Sequence, residues 1–121
     1  MPKTFTLNNF VINSGNTITS TAVLSVMKEG KAFERVATGS GPVDASFKAI
    51  DKVVGRQLEL EDYQITAVSE GEDALGDARV LLKNDKGETF LGRGLSTDII
   101  EASIKAYINA VNKIYYQEMN S

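Results

Sequence analysis

With neither a cysteine nor a histidine in its 121 residues, this chain has few groups for covalent chemistry. A thiolate nucleophile, a Ser-His-Asp or Cys-His arrangement, an imidazole poised near neutral pH and an ordinary structural zinc site are all excluded. Asp, Glu, Lys and Tyr remain, and they need a pocket that shifts their pKa strongly before they act as acids, bases or nucleophiles. Three clusters stand out. Gly39-Ser40-Gly41 runs into Pro42-Val43-Asp44, a turn whose backbone N–H groups, with the start of a following helix, could receive a carboxylate or phosphate. It lacks the Gly-Lys-Ser/Thr ending of a P-loop and is an incomplete dinucleotide fingerprint, and a tight packing turn has the same composition. Ser69-Glu70-Gly71-Glu72-Asp73 could attract a cation or an ammonium group, but its spacing is not that of an EF-hand, and a solvated loop between strands looks the same. Leu60 and Tyr63 could line an apolar pocket or sit in the core; Tyr107, Tyr115 and Tyr116 could be core or mark a subunit contact. None of these is a catalytic constellation. The chain alone is read as no enzyme, with no metal and no cofactor.

The elements that must position these groups follow from hydrophobic period. Phe5 to Ile12 alternates with a change of parity at Asn8-Asn9, a strand with a bulge. After Ser14-Gly15-Asn16, Ile18 to Val26 is a β-branched strand. Glu29-Gly30 turns the chain, and Ala32 to Thr38 is a third strand. A helix follows, marked by Val43, Phe47, Ile50 and Val54 on one face, with Pro42 suited to its first position and Asp44 placed for the helix dipole. The order then repeats. Leu58 to Val68 is a strand whose parity changes at Glu61-Asp62, Ala78 to Leu82 is a second, Asn84-Asp85-Lys86-Gly87 is a turn, and Thr89 to Leu91 is a short third strand ending at Gly92-Arg93-Gly94. The last helix spans about Asp98 to Tyr115, with Asp98 and Glu101 spaced as a capping box. Ala45-Ser46-Phe47-Lys48-Ala49 matches Ala102-Ser103-Ile104-Lys105-Ala106 57 residues on, whereas Gly39-x-Gly41 matches Gly92-x-Gly94 only 53 on. That difference predicts a connection or helix start one turn longer in the second copy.

The fold expected is α+β: two βββα units, about 4–55 and 58–116, related by a pseudo-twofold within one domain over 1–121, with antiparallel or mixed sheets and helices packed on one face. Thirteen Lys and Arg against sixteen Asp and Glu leave a net charge of −3 and no basic run to track a phosphate backbone, so nucleic acid is not an expected partner. No apolar stretch is long enough for a membrane span and no signal-peptide core follows Met1, so the expected location is the cytoplasm.

Taken in order, Gly39-Ser40-Gly41-Pro42-Val43-Asp44-Ala45, Asp62-Tyr63, Ser69 to Gly76, and Gly92-Arg93-Gly94-Leu95-Ser96-Thr97-Asp98 through Ser103 resemble the C-terminal regulatory domain of 2-isopropylmalate synthases; related domains end citramalate synthases. The resemblance runs from about Thr4 to Tyr115. It implies a homodimer-forming domain that binds a branched-chain amino acid, leucine in preference. It also implies feedback inhibition of an acetyl-CoA-dependent Claisen condensation in a metal-dependent barrel, joined in cis or met in trans. Carried over position by position, the effector site falls on Gly39, Ser40, Gly41, Val43 and Asp44, then on Leu60, Tyr63, Ala67 and Ala74. In that reading the glycine loop takes the effector carboxylate, Val43, Leu60 and Tyr63 bury the branched side chain, Ala67 and Ala74 leave it room, and Asp44 or Asp73 takes the ammonium. Some family members carry a small or amide residue at position 40 and alanine at 44, so polar contacts there can differ. An isoleucine-sensing citramalate-synthase domain and a dimerisation module without an effector are the alternatives.

Overall fold

The computed structural model describes residues 4–14, 19–70 and 73–120. They form β1 (Phe5–Asn13), β2 (Ser20–Lys28), β3 (Lys31–Gly39), α1 (Pro42–Val54), β4 (Glu59–Glu70), β5 (Asp73–Lys83), β6 (Thr89–Ser96) and α2 (Ile99–Met119). The βββα order therefore occurs twice, as the hydrophobic pattern predicts. Two compact units result, an N-terminal one over Phe5–Gln57 and a C-terminal one containing Leu58–Ser121. Each has a three-stranded antiparallel sheet, β1-β2-β3 or β4-β5-β6. Of the turn at Ser14-Gly15-Asn16 and the strand start at Ile18, only Ser14 lies within the described residues. Among the described residues no helix is long and apolar enough to cross a membrane.

In the N-terminal unit α1 lies over β2 and β3. Alternation sends Ala22, Leu24 and Val26 of β2 and Ala37 of β3 to the helix side, and all are buried. The helix contributes Ala45, Ser46, Phe47, Ala49 and Ile50. Its buried stripe is thus set by small residues as well as the large ones, and Val43 and Val54 are only half-buried. β2 and β3 are joined through Glu29 at φ 53 and Gly30 at φ 79, two successive left-handed residues as a type I′ hairpin requires.

The C-terminal unit departs from the sequence expectation at two places. Glu70 pairs with Asp73, so the acidic segment is the end of a hairpin and not a long loop; Gly71 and Glu72 lie outside the described residues. Gly92 and Gly94 are interior to β6, which continues to Ser96, and not the turn after a short strand. The physical reason is proximity. A Cβ on Gly92 would lie 2.0 Å from the Ala106 carbonyl oxygen, and one on Gly94 2.2 Å from that of Ala102. Two glycines in one strand let α2 approach β6 backbone to backbone.

Sheet register corrects the internal match. Ser20 pairs with Gly39 and Gly76 with Ser96, while Gly41 caps α1 and Asp98 caps α2. The third strands and helices of the two units are therefore 57 residues apart throughout. Gly39 corresponds to Ser96 and Gly41 to Asp98, the glycine pairs at 39/41 and 92/94 are unrelated, and no turn is inserted. The first strands correspond at a spacing of 53 residues, Leu7 to Leu60, and the middle strands at 56, Val26 to Leu82. Both first strands bulge at the same point, between Leu7 and Asn9 and between Leu60 and Asp62. The bulged residue reaches the middle strand each time: Asn8 Nδ2 donates to Ser25 Oγ at 3.1 Å, and Lys83 Nζ meets Glu61 at 2.8 Å. Ser46 and Ser103 each donate to the carbonyl four residues back, at 2.7 Å. Asp44–Lys48 recurs as Glu101–Lys105.

The face of β5 turned away from α2 carries Asp77, whose side chain is 5% exposed. It accepts a two-pronged contact from Arg93, Nε to Oδ1 at 3.0 Å and Nη2 to Oδ2 at 2.9 Å. These bonds hold the Asp77 carboxyl below the usual carboxylate range. A depressed folded-state pKa means stability that is complete above the unfolded value near ~3.9 and is lost as pH falls through the folded one. Denaturant unfolding between pH 6 and pH 3 should therefore show falling stability, with a shallower fall in Asp77→Asn; equal slopes in the two proteins would contradict the assignment.

Candidate functional site

The loop from β3 to α1 is built around a missing side chain. An ideal Cβ on Gly39 would sit 2.5 Å from both Ala45 N and Asp44 Oδ2, so only glycine lets the helix start fold back over the strand end. Gly41 is extended, at φ −161 and ψ 176, and as N-cap it offers no side-chain acceptor. Its carbonyl takes the Ala45 N–H at 2.9 Å. Pro42 occupies the first turn, where its lack of an N–H costs nothing. Asp44 ties the helix start back to the loop: its Oδ2 accepts the Ser40 N–H at 2.9 Å and pairs with Lys48 Nζ at 3.0 Å. The Ser40 N–H, and secondarily Lys48, hold the Asp44 carboxyl below its ordinary value. Asp44 is thus ionised and already engaged in closing the loop. Gly39, Ser40, Gly41, Val43 and Asp44 form one continuous structure.

Within the C-terminal unit a cleft of about 260 Å³ lies between the β4–β5 hairpin and the start of α2, lined by Ile65, Ala67, Ala74, Gly76, Thr97 and Ile99 among others. Ala67 and Ala74, singled out in the sequence, lie on the same face of the β4–β5 hairpin and both line the cleft. Small residues keep it open, and a Cβ on Gly76 would lie 3.0 Å from Ile99 Cγ2. Tyr63 shares the α2-facing side of β4 with Ile65 and Ala67, pairing with Val80 as they pair with Ala78 and Gly76. Its hydroxyl lies 2.6 Å from Ser103 Oγ. Because Ser103 donates onward to Ile99 O, Tyr63 is the donor, and a two-bond chain ties the β4 wall to the first turn of α2 at Ile99. Removing the Tyr63 hydroxyl as Tyr63→Phe should cost about 1 kcal/mol, read by denaturant unfolding; no loss would mean the chain is not formed in solution. Leu60 stands apart from the cleft, before the bulge and 44% exposed. Asp73 opens β5 at the hairpin end, and its side chain lies outside the described part.

The α2 start is capped through a relay. Asp98 Oδ1 accepts Ile100 N–H at 2.9 Å. Glu101 does not reach back to the Asp98 N–H: that group donates to Ser96 Oγ at 3.1 Å, and the Ser96 hydroxyl donates to Glu101. This realises half the expected capping box and inserts Ser96 into the other half. Ile65, Gly76, Thr97, Ile99 and Ser103 were not named as site residues from the sequence, although all but Ile65 lie in the motifs that carry the resemblance. Period-2 counting from Tyr63 reaches Ile65, and the Asp98 cap signal brackets Thr97 and Ile99, but neither pattern shows that they line a cleft.

Residues 1–115 match the family model described as the LeuA allosteric (dimerisation) domain, a span that includes both units. Among curated proteins, the 2-isopropylmalate synthase of Carboxydothermus hydrogenoformans is 53% identical over 116 residues, covering 96% of this chain and 23% of its own length. The 2-isopropylmalate synthase of Ruminiclostridium cellulolyticum is 49% identical over 113 residues, covering 93% of this chain and 22% of its own length. That of Pelotomaculum thermopropionicum is 45% identical over 116 residues, covering 96% and 23%. The chain thus spans less than a quarter of the length of the curated relatives it matches. On a family match across 1–115 and this identity to several synthases, the chain belongs to the LeuA allosteric (dimerisation) domain family.

Proposed function

We propose that this domain senses a branched-chain amino acid, leucine in preference, and through it feedback-inhibits a 2-isopropylmalate synthase of the cytoplasm, acting as a homodimer. The observation that carries this reading is the family match over 1–115, supported by a small-residue cleft at Ala67 and Ala74. The effector's two ends call for different surroundings. An isobutyl side chain gains roughly 1.5–3 kcal/mol from full burial, and the cleft offers mostly apolar walls. A carboxylate needs donors, and the Gly39-Ser40-Gly41 loop with the start of α1 is the segment proposed for it, as helix starts are the kind of structure that binds anions. Asp44 or Asp73 is the group proposed for the ammonium. Catalysis belongs to a separate barrel, since this chain has no histidine or cysteine to supply metal ligands or a nucleophile.

A ligand that binds only the native state stabilises it by mass action, about 2.7 kcal/mol at a hundredfold excess over Kd. Melting of the domain should therefore rise with leucine concentration and respond less to isoleucine. A melting temperature indifferent to saturating leucine, isoleucine and valine would overturn the reading.

A further inference from the structure

In the C-terminal unit α2 covers the outer edge of β6: Asn109 Oδ1 accepts the Arg93 N–H at 3.0 Å, and the Lys113 ammonium donates to the Leu91 carbonyl. The register that relates the units places Lys52 where α2 has Asn109, Arg56 where it has Lys113, and Val36 where β6 has Arg93. An ammonium only donates, so Lys52 cannot take the Val36 N–H; it bonds the Val36 carbonyl instead, at 2.8 Å. The β3 edge is thereby left rich in donors where its counterpart has a matched acceptor. At the same level α1 stops, with Gly55 at φ 80 and its N–H returned to Asp51 O, whereas α2 runs on to Met119.

The early stop opens a groove of about 470 Å³ between β3 and the last turns of α1, lined by Thr38, Lys48, Asp51, Lys52, Gly55 and Arg56 among others. Lys48 and Lys52, four residues apart, share one side of α1, and Arg56 joins them in the lining from just beyond the left-handed Gly55 that ends the helix. With Lys48 already paired to Asp44, Lys52 and Arg56 against the carboxylate of Asp51 still give the groove a positive balance in a chain of net charge −3. A cleft lined by one sign of charge concentrates ligands of the other. The Lys52 ammonium over the β3 edge also discourages an added strand, which favours a compact occupant.

We infer that this groove is a second ligand site, for a small polyanion with adjacent anionic groups of the polyphosphate or phosphate-ester class, held by Lys48, Lys52 and Arg56 with the Thr38 hydroxyl. It is assembled wholly from the N-terminal unit and uses none of the residues proposed for the amino-acid effector.

Calorimetric titration of the whole chain with sodium pyrophosphate at fixed ionic strength tests this, with sulfate and leucine as parallel titrants. Pyrophosphate should bind saturably at one site per chain and about tenfold tighter than sulfate. Lys52→Asn, which installs the α2 residue, should melt as the parent does and bind pyrophosphate about tenfold more weakly, the loss expected for one charge-assisted contact. Arg56→Gln should weaken binding similarly, and leucine should titrate unchanged in both variants. Pyrophosphate no tighter than sulfate, or undiminished in both variants, would overturn the proposal. Loss of the leucine response together with pyrophosphate binding would also overturn it, since the two would then share one site.

Discussion

Gly92→Ala should lose about 3 kcal/mol of stability or fail to fold, the upper end of what overpacking costs. The added Cβ would meet the Ala106 carbonyl oxygen at 2.0 Å, Ala110 N at 2.6 Å and Ala110 Cβ at 2.8 Å. Two of these are backbone atoms of α2, a helix whose Ala106, Tyr107, Ala110, Val111 and Ile114 are fully or almost fully buried, so no flexible side chain can swing aside. Relief requires moving the helix off the sheet and opening that core. Gly41→Ala is the control: a Cβ there meets nothing within 4 Å, and the backbone at φ −161 is open to any residue. It should cost under about 1 kcal/mol, the difference between glycine and alanine as an N-cap. Denaturant unfolding of the two variants reads the contrast, and equal losses would contradict the close packing of α2 on β6.

The second large effect is functional. Ala74→Asp should abolish the leucine-dependent rise in melting temperature while leaving the unliganded protein within about 0.5 kcal/mol of the parent, as expected for an exposed site. Ala74 is exposed on β5 at the cleft rim, so the new carboxylate stays hydrated until a ligand arrives. Binding would then have to strip water from a charge beside an isobutyl group, a cost with no compensating partner. An undiminished leucine shift in this variant would place the effector elsewhere.

Much of this architecture was legible in the sequence because it rests on local rules. Parity breaks at Asn8-Asn9 and Glu61-Asp62 mark the two bulges, Glu29-Gly30 and Asn84 to Gly87 mark turns, and Pro42 and Asp98 mark helix starts. What was misread depends on contacts between elements. A Gly-x-Gly pair has the same spelling whether it turns the chain or lets a helix settle on a strand, so Gly92 and Gly94 resembled Gly39 and Gly41 although the counterpart of Gly39 in the second unit is Ser96. The acidic segment resembled a loop because hairpin pairing of Glu70 with Asp73 leaves no periodic trace. At the candidate site, the two alanines that the resemblance names, Ala67 and Ala74, lie on one face of the β4–β5 hairpin and line the same cleft, whereas Ile99 and Ser103 enter through packing of α2 and the Tyr63 hydrogen bond. Asp44 carried an ambiguity of another kind, since a carboxylate poised for an ammonium and one closing its own loop are the same letter.

The most direct test of amino-acid sensing is calorimetric titration of the domain with leucine, using glycine as the blank. The account predicts saturable heat from leucine, a weaker response from isoleucine, and none from glycine beyond dilution. Heat from leucine indistinguishable from that of glycine, in a protein shown to be folded, would contradict it.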